Sequence, residues 1–61
     1  MIKINQEYIH KDGGIYTTRT TRGFVNINSK ELVIVEYSPV NDLEKIYVRT
    51  VEHFLDNFKL K

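Results

Sequence analysis

The residues able to do chemistry are two histidines with carboxylates close by: His10 and Asp12 lie two apart, His53 and Asp56 three apart. Imidazole plus carboxylate suits a borderline divalent ion. Nothing in the sequence joins the two pairs, however, and His-x-Asp arises freely by chance. The expectation is a His10 bonded to hairpin backbone and a His53 on the solvent side of a helix, with no metal and no cofactor. Nucleophilic catalysis has no better footing. The chain has no cysteine, no Gly-x-Ser-x-Gly elbow and no glycine-rich phosphate loop, and Ser29 and Ser38 read as turn serines. Its 61 residues make one thin domain, hard put to enclose the roughly 300 Å3 or more of a small-molecule site. The expectation is a protein that is not an enzyme.

Binding residues remain. Tyr37, Pro39, Val40 and Tyr47 offer an apolar-aromatic patch of the kind that receives a partner protein; the plain alternative is two half-buried tyrosines with hydroxyls at the surface. Lys11, Arg19, Arg22 and Lys30, interleaved with Tyr8, Tyr16 and Phe24, offer a second reading, a weak nucleic-acid face that contacts phosphates and stacks bases. Net charge is only +1, which gives that reading little help. The halves differ modestly. Residues 1–30 set Lys3, Lys11, Arg19, Arg22 and Lys30 against Glu7 and Asp12, a balance of +3. Residues 31–61 set Lys45, Arg49, Lys59 and Lys61 against Glu31, Glu36, Asp42, Glu44, Glu52 and Asp56, a balance of −2. Arg49 reads as structural, its fork holding Glu36, Glu52 or backbone carbonyls where strand meets helix.

The elements that must position these residues follow from apolar period. Ile46 and Val48 alternate with Tyr47 and Arg49, the repeat of a strand. From Val51 the apolar residues are Val51, Phe54, Leu55 and Phe58, one face of about two helical turns. Thr50 stands at the joint as N-cap, with Glu52 in the first turn. A helix this short needs something to sit on, so Phe54, Leu55 and Phe58 are expected to plug the end of a curled sheet. Lys11-Asp12-Gly13-Gly14 is the strongest turn signal, two glycines supplying positive φ, and it predicts a hairpin between residues near 7–10 and 15–21. Met1 to Asn5 reads as an edge strand or a frayed end, Gly23 as a bulge or bend, and Asn28-Ser29-Lys30 as a polar turn. Phe24, Val25 and Ile27 offer strand core. Leu32 to Val35 predict a strand buried on both faces, followed by a loop from Ser38 to Leu43; Lys59 to Lys61 trail off. The sum is one mainly β domain over residues 1–61, an SH3-like barrel of four or five antiparallel strands with a short C-terminal helix.

The stretches Tyr8 to Tyr16, Glu31 to Tyr37 and Ile46 to Phe54 also resemble a family of short bacterial and phage proteins of unknown function. That family opens on Tyr-x-His-x-x-Gly-x-x-Tyr and closes on aromatic-Val-Arg-Pro-x-x-x-Phe. Thr50 replaces the family's Pro, Gly13-Gly14 comes one residue late, and residues 19–28 look longer and more polar. The resemblance implies an SH3-like fold and brings no established activity. Together these readings predict a cytoplasmic interaction module that binds a partner protein and, if phage-encoded, inhibits or redirects it. The alternative is the weak nucleic-acid barrel. No apolar run is long enough for a membrane span or a secretory signal. A homodimer through the 1–5 or 19–28 strand edge is compatible with either reading.

Overall fold

The chain first reverses at Lys11 to Gly14, between β1 (Glu7–His10) and β2 (Ile15–Thr20). Asp12 drives the reversal, its Oδ1 accepting from the Gly14 N–H at 3.0 Å. Of the two glycines only Gly13 has positive φ, at +100°. Gly14 is needed for a different reason: a Cβ there would stand 3.0 Å from Cε1 of Tyr16, whose ring lies over the turn. The computed structural model describes residues 2–21 and 24–61, and at 24, 25 and 27 the backbone alone. The expectations for Met1, Arg22 and Gly23, and for the side chains of Phe24, Val25 and Ile27, lie outside the described residues.

β3 (Phe24–Ile27) pairs with β4 (Lys30–Pro39) through a tight hairpin. Its loop residues Asn28 and Ser29 both have positive φ, 52° and 64°, the backbone of a type I′ turn whose twist matches that of the strands. β5 (Tyr47–Thr50), α1 (Val51–Asn57) and β6 (Phe58–Leu60) complete the chain. All described pairings are antiparallel, in the order β3-β4-β2-β1-β6, with β5 also on β4. With β2 and β3 in tandem along β4, the sheet has five strand positions and curls into a half-barrel. The helix leads from β5 to a last strand that returns to β1, the SH3-like connection. One extra residue on β2, between Thr18 and Thr20, makes a bulge that sharpens the curl.

Alternation along the strands sends one set of side chains to the concave face. Register places Tyr8 opposite Tyr16, His10 opposite Phe58, Thr18 opposite Tyr37, Pro39 opposite Tyr16, and Tyr47 opposite Tyr37. The core is therefore aromatic: Tyr8, Val35, Tyr37, Phe54 and Phe58 are buried, with Ile2, Tyr16 and Val51 packed against them. Phe54 is fully enclosed, its ring 5.1 Å from Tyr8, 5.0 Å from Tyr37 and stacked 4.1 Å from Phe58. Thr50 caps the helix as its type predicts, accepting from the His53 N–H at 3.2 Å.

Several expectations are corrected. Leu55 does not plug the sheet: it is 45% exposed against 0% for Phe54. A seven-residue helix leaning on a sheet touches it along one line of side chains, and Phe58 completes that line only because it has left the helix for extended backbone. The tail does not trail off, since Phe58 to Leu60 pair with β1 and Lys61 both bonds the Glu7 carbonyl and pairs its ammonium with the Glu7 carboxylate. Residues 2–5 form no strand. They are held instead by Thr18, whose Oγ1 donates to the Lys3 carbonyl at 2.6 Å, and by the Asn5 N–H, which donates to the Thr18 carbonyl. β4 is not buried on both faces: Val35 is enclosed on the concave face, whereas Leu32 and Ile34 on the opposite face are only half-buried. Ser38 and Pro39 belong to β4 rather than to a loop. Successive N–H groups point to opposite edges, and Val40 donates toward Ile15 on β2. Pro39 therefore lacks its N–H on the edge where β5, which ends opposite Tyr37, no longer reaches. Ile46 and Val48 lie on the exposed face, at 52% and 42%.

Candidate functional site

The concave face has two ends. At one, Tyr8, Val35, Thr18 and Phe54 are sealed. At the other, His10, Tyr16, Tyr37, Tyr47, Arg49 and Phe58 line a pocket of about 240 Å3. The rings of this mouth brace one another. Tyr16 lies edge-on to Tyr37 at 5.5 Å, to Phe58 at 5.3 Å and to Tyr47 at 6.2 Å. Tyr47 meets Tyr37 at 5.7 Å, and His10 meets Phe58 at 4.8 Å. Edge-to-face pairs at these separations add modestly to area burial, about 0.5–1.5 kcal/mol each. Their combined effect is a preformed surface of rings.

Electrostatics at the mouth come from Arg49, Tyr37 and the His10–Asp12 pair. Burial raises the Tyr37 phenol above its ordinary value, and the positive charge of Arg49 nearby opposes the shift. Asp12 is held below the usual carboxylate range chiefly by the Gly14 N–H, which outweighs desolvation, with His10 adding to the lowering. His10 Nδ1 lies 3.0 Å from Asp12 Oδ1 and accepts from the Asp12 N–H at 3.1 Å, so the ring is fixed at the turn. His53 sits exposed on the helix, where its carbonyl accepts from Asn57 Nδ2. Among the described residues no group of three or more His, Asp or Glu gathers where a metal ion could sit.

Of the patch predicted from sequence, the structure brings Tyr37 and Tyr47 together but buries Tyr37 to 5% exposure, leaving Tyr47 at 37%. Pro39 adjoins through its pairing with Tyr16, while Val40 lies just past the strand end and is exposed. Arg49 does not hold Glu36 or Glu52. Among the described residues neither ion pair involves it, and its Nη1 donates to the Val48 carbonyl at 2.7 Å. The reason is register: Arg49 pairs with Val35 and Glu36 with Val48, so arginine and glutamate leave opposite faces of the sheet. His10, Tyr16 and Phe58 were missed as site residues. The signal was present, because Tyr8/His10 and Tyr47/Arg49 each repeat at the two-residue period of a strand.

The basic set is not gathered. Lys11 is exposed at the β1–β2 turn and Lys30 at the start of the ten-residue β4. Tyr16 pairs with Pro39 at the other end of that strand, so these lysines are separated by roughly 30 Å of extended chain. Arg19 is tied to the Leu43 carbonyl at 3.4 Å, and Arg22 lies outside the described residues. Wider, open surface grooves exist, one of about 550 Å3 between Ile9, Leu55 and Leu60. No described helix is long and apolar enough to cross a membrane. No protein-family model, curated protein or solved structure matches this chain.

Proposed function

We propose that this chain is a non-enzymatic protein-interaction module that docks a partner protein over the mouth of its half-barrel. The observation that carries the reading is the ring-lined pocket, where Tyr47 stands 37% exposed on a bed of Tyr16 and Tyr37. Exposed, preorganised aromatic rings anchor protein contacts at low entropic cost. The module acts by occupying its partner's surface. Inhibiting or redirecting that partner is the effect such occupation produces, whether the host is bacterial or a phage supplies the gene. A cytoplasmic setting fits a cysteine-free chain.

The weak nucleic-acid barrel remains the second reading, supported by exposed Lys11, Arg19 and Lys30 and weakened by their separation. The test compares wild type, Tyr47→Ala and Arg19→Ala in affinity capture and in single-stranded RNA and DNA binding at low salt. A protein retained by wild type and Arg19→Ala but lost with Tyr47→Ala supports docking. Salt-sensitive nucleic-acid binding that falls with Arg19→Ala and ignores Tyr47→Ala replaces it.

A further inference from the structure

We propose that the mouth of the half-barrel is a carboxylate-accepting subsite that takes one acidic side chain, Asp or Glu, of the docked partner. The inference rests on the docking reading and adds the chemistry of what is docked. Arg49 supplies the attraction. Its side chain leaves the sheet on the same face as Tyr47, lines the pocket, and among the described residues has no carboxylate partner. One nitrogen is engaged by the Val48 carbonyl, which anchors the planar fork and leaves its remaining donors for a ligand.

The surroundings sharpen the choice of ligand. None of the six lining residues is acidic. The carboxylate at the hairpin turn, Asp12, accepts from the Gly14 N–H, and Glu36 lies across the sheet. Three of the lining rings, Tyr16, Tyr37 and Tyr47, carry hydroxyls able to donate to an oxyanion. An aromatic cage alone suits a cation, but the guanidinium opposes one here. A pocket of about 240 Å3 is smaller than small-molecule sites, which run to roughly 300–1,000 Å3, and is sized for one side chain. A planar carboxylate against an arginine fork makes a charge-assisted contact about twice as strong as a neutral one.

The probe is N-acetyl-glutamate methylamide, with N-acetyl-glutamine methylamide as its neutral twin and tetramethylammonium as the cation. Each is titrated into the full chain while the Arg49 Nε–H and tyrosine ring resonances are followed by NMR. The expected result is saturable shifts at Arg49 and Tyr47 with the acid, about ten-fold weaker with the amide, lost in Arg49→Gln and partly kept in Arg49→Lys. Arg49 is exposed, so these variants keep the fold, which the amide dispersion around Phe54 checks. The proposal is overturned if acid and amide act alike, if tetramethylammonium moves the same rings more strongly than the acid, or if Arg49→Gln binds the acid as wild type does. Partner capture that Tyr47→Ala abolishes and Arg49→Gln leaves intact overturns this inference alone, and the docking reading stands.

Discussion

The two ends of the concave face are built from the same residue types and do opposite jobs. At the sealed end, Phe54 lies under Tyr8 and Tyr37 with nothing exposed, and Thr18 bonds the N-terminal segment across it. At the mouth, Tyr47 and Arg49 occupy equivalent inward positions on β5, yet no further element covers them. The difference is the helix. α1 leaves β5 directly after Thr50, so its ring residue reaches one end of the curl and the other end stays open. Aromatic side chains thus serve as core where the helix covers them and as surface where it does not.

The sharpest way to break the comparison is to truncate neighbours on the helix. Phe54→Ala should cost about 3–5 kcal/mol, most of what a domain this small possesses, whereas Leu55→Ala should cost under about 0.5 kcal/mol; urea unfolding followed by circular dichroism reads both. Equal losses would mean that Leu55 is buried as Phe54 is and that the helix has no exposed side. Next in size is Thr18→Val, which strands the Lys3 carbonyl and the Gln6 N–H and should cost about 1–3 kcal/mol, with faster amide exchange at residues 3–6.

A smaller effect appears in alkali. The Tyr37 phenol is raised above 10 by burial. Below that pH both folded and unfolded states keep the proton, and stability is complete. As pH rises past 10 the unfolded state ionises first, so stability falls until the folded phenol also titrates. Tyr37→Phe should flatten that decline above pH 10, and unchanged curvature would place Tyr37 in water with the mouth. Smallest of all is Ser38→Ala. Among the described residues Ser38 Oγ is buried with no hydrogen-bond partner, so its removal should be neutral or should stabilise by up to about 1 kcal/mol.

The fold was legible where backbone chemistry is local. Asp12-Gly13-Gly14 announced its hairpin, Thr50 its cap, and the change of period at Val51 its helix. What misled was hydropathy at and just before β5, where Ile46 and Val48 outrank Tyr47 and Arg49 as core candidates but are exposed. The concave face is lined by rings, and a strand read against an aromatic core must be scored on ring area rather than aliphatic content. The run Leu32 to Val35 misled in the same way. β6 was hidden because Phe58-Lys59-Leu60 is too short to show a period, and its partner β1 lies nearly the whole chain away. The mouth was half visible. Tyr37 and Tyr47 were found, and of the partners open to Arg49 (Glu36, Glu52 or backbone carbonyls) it takes a carbonyl, because the register sends Glu36 to the other face.

One measurement tests the division most directly: equilibrium unfolding of Phe54→Ala and Tyr47→Ala side by side with wild type. The account predicts that Phe54→Ala loses most of the folding free energy, about 3–5 kcal/mol, while Tyr47→Ala loses only about 1–2 kcal/mol, the order of its two ring contacts. A Tyr47→Ala loss as large as that of Phe54→Ala would show that the mouth holds the fold together and is not free to receive a partner.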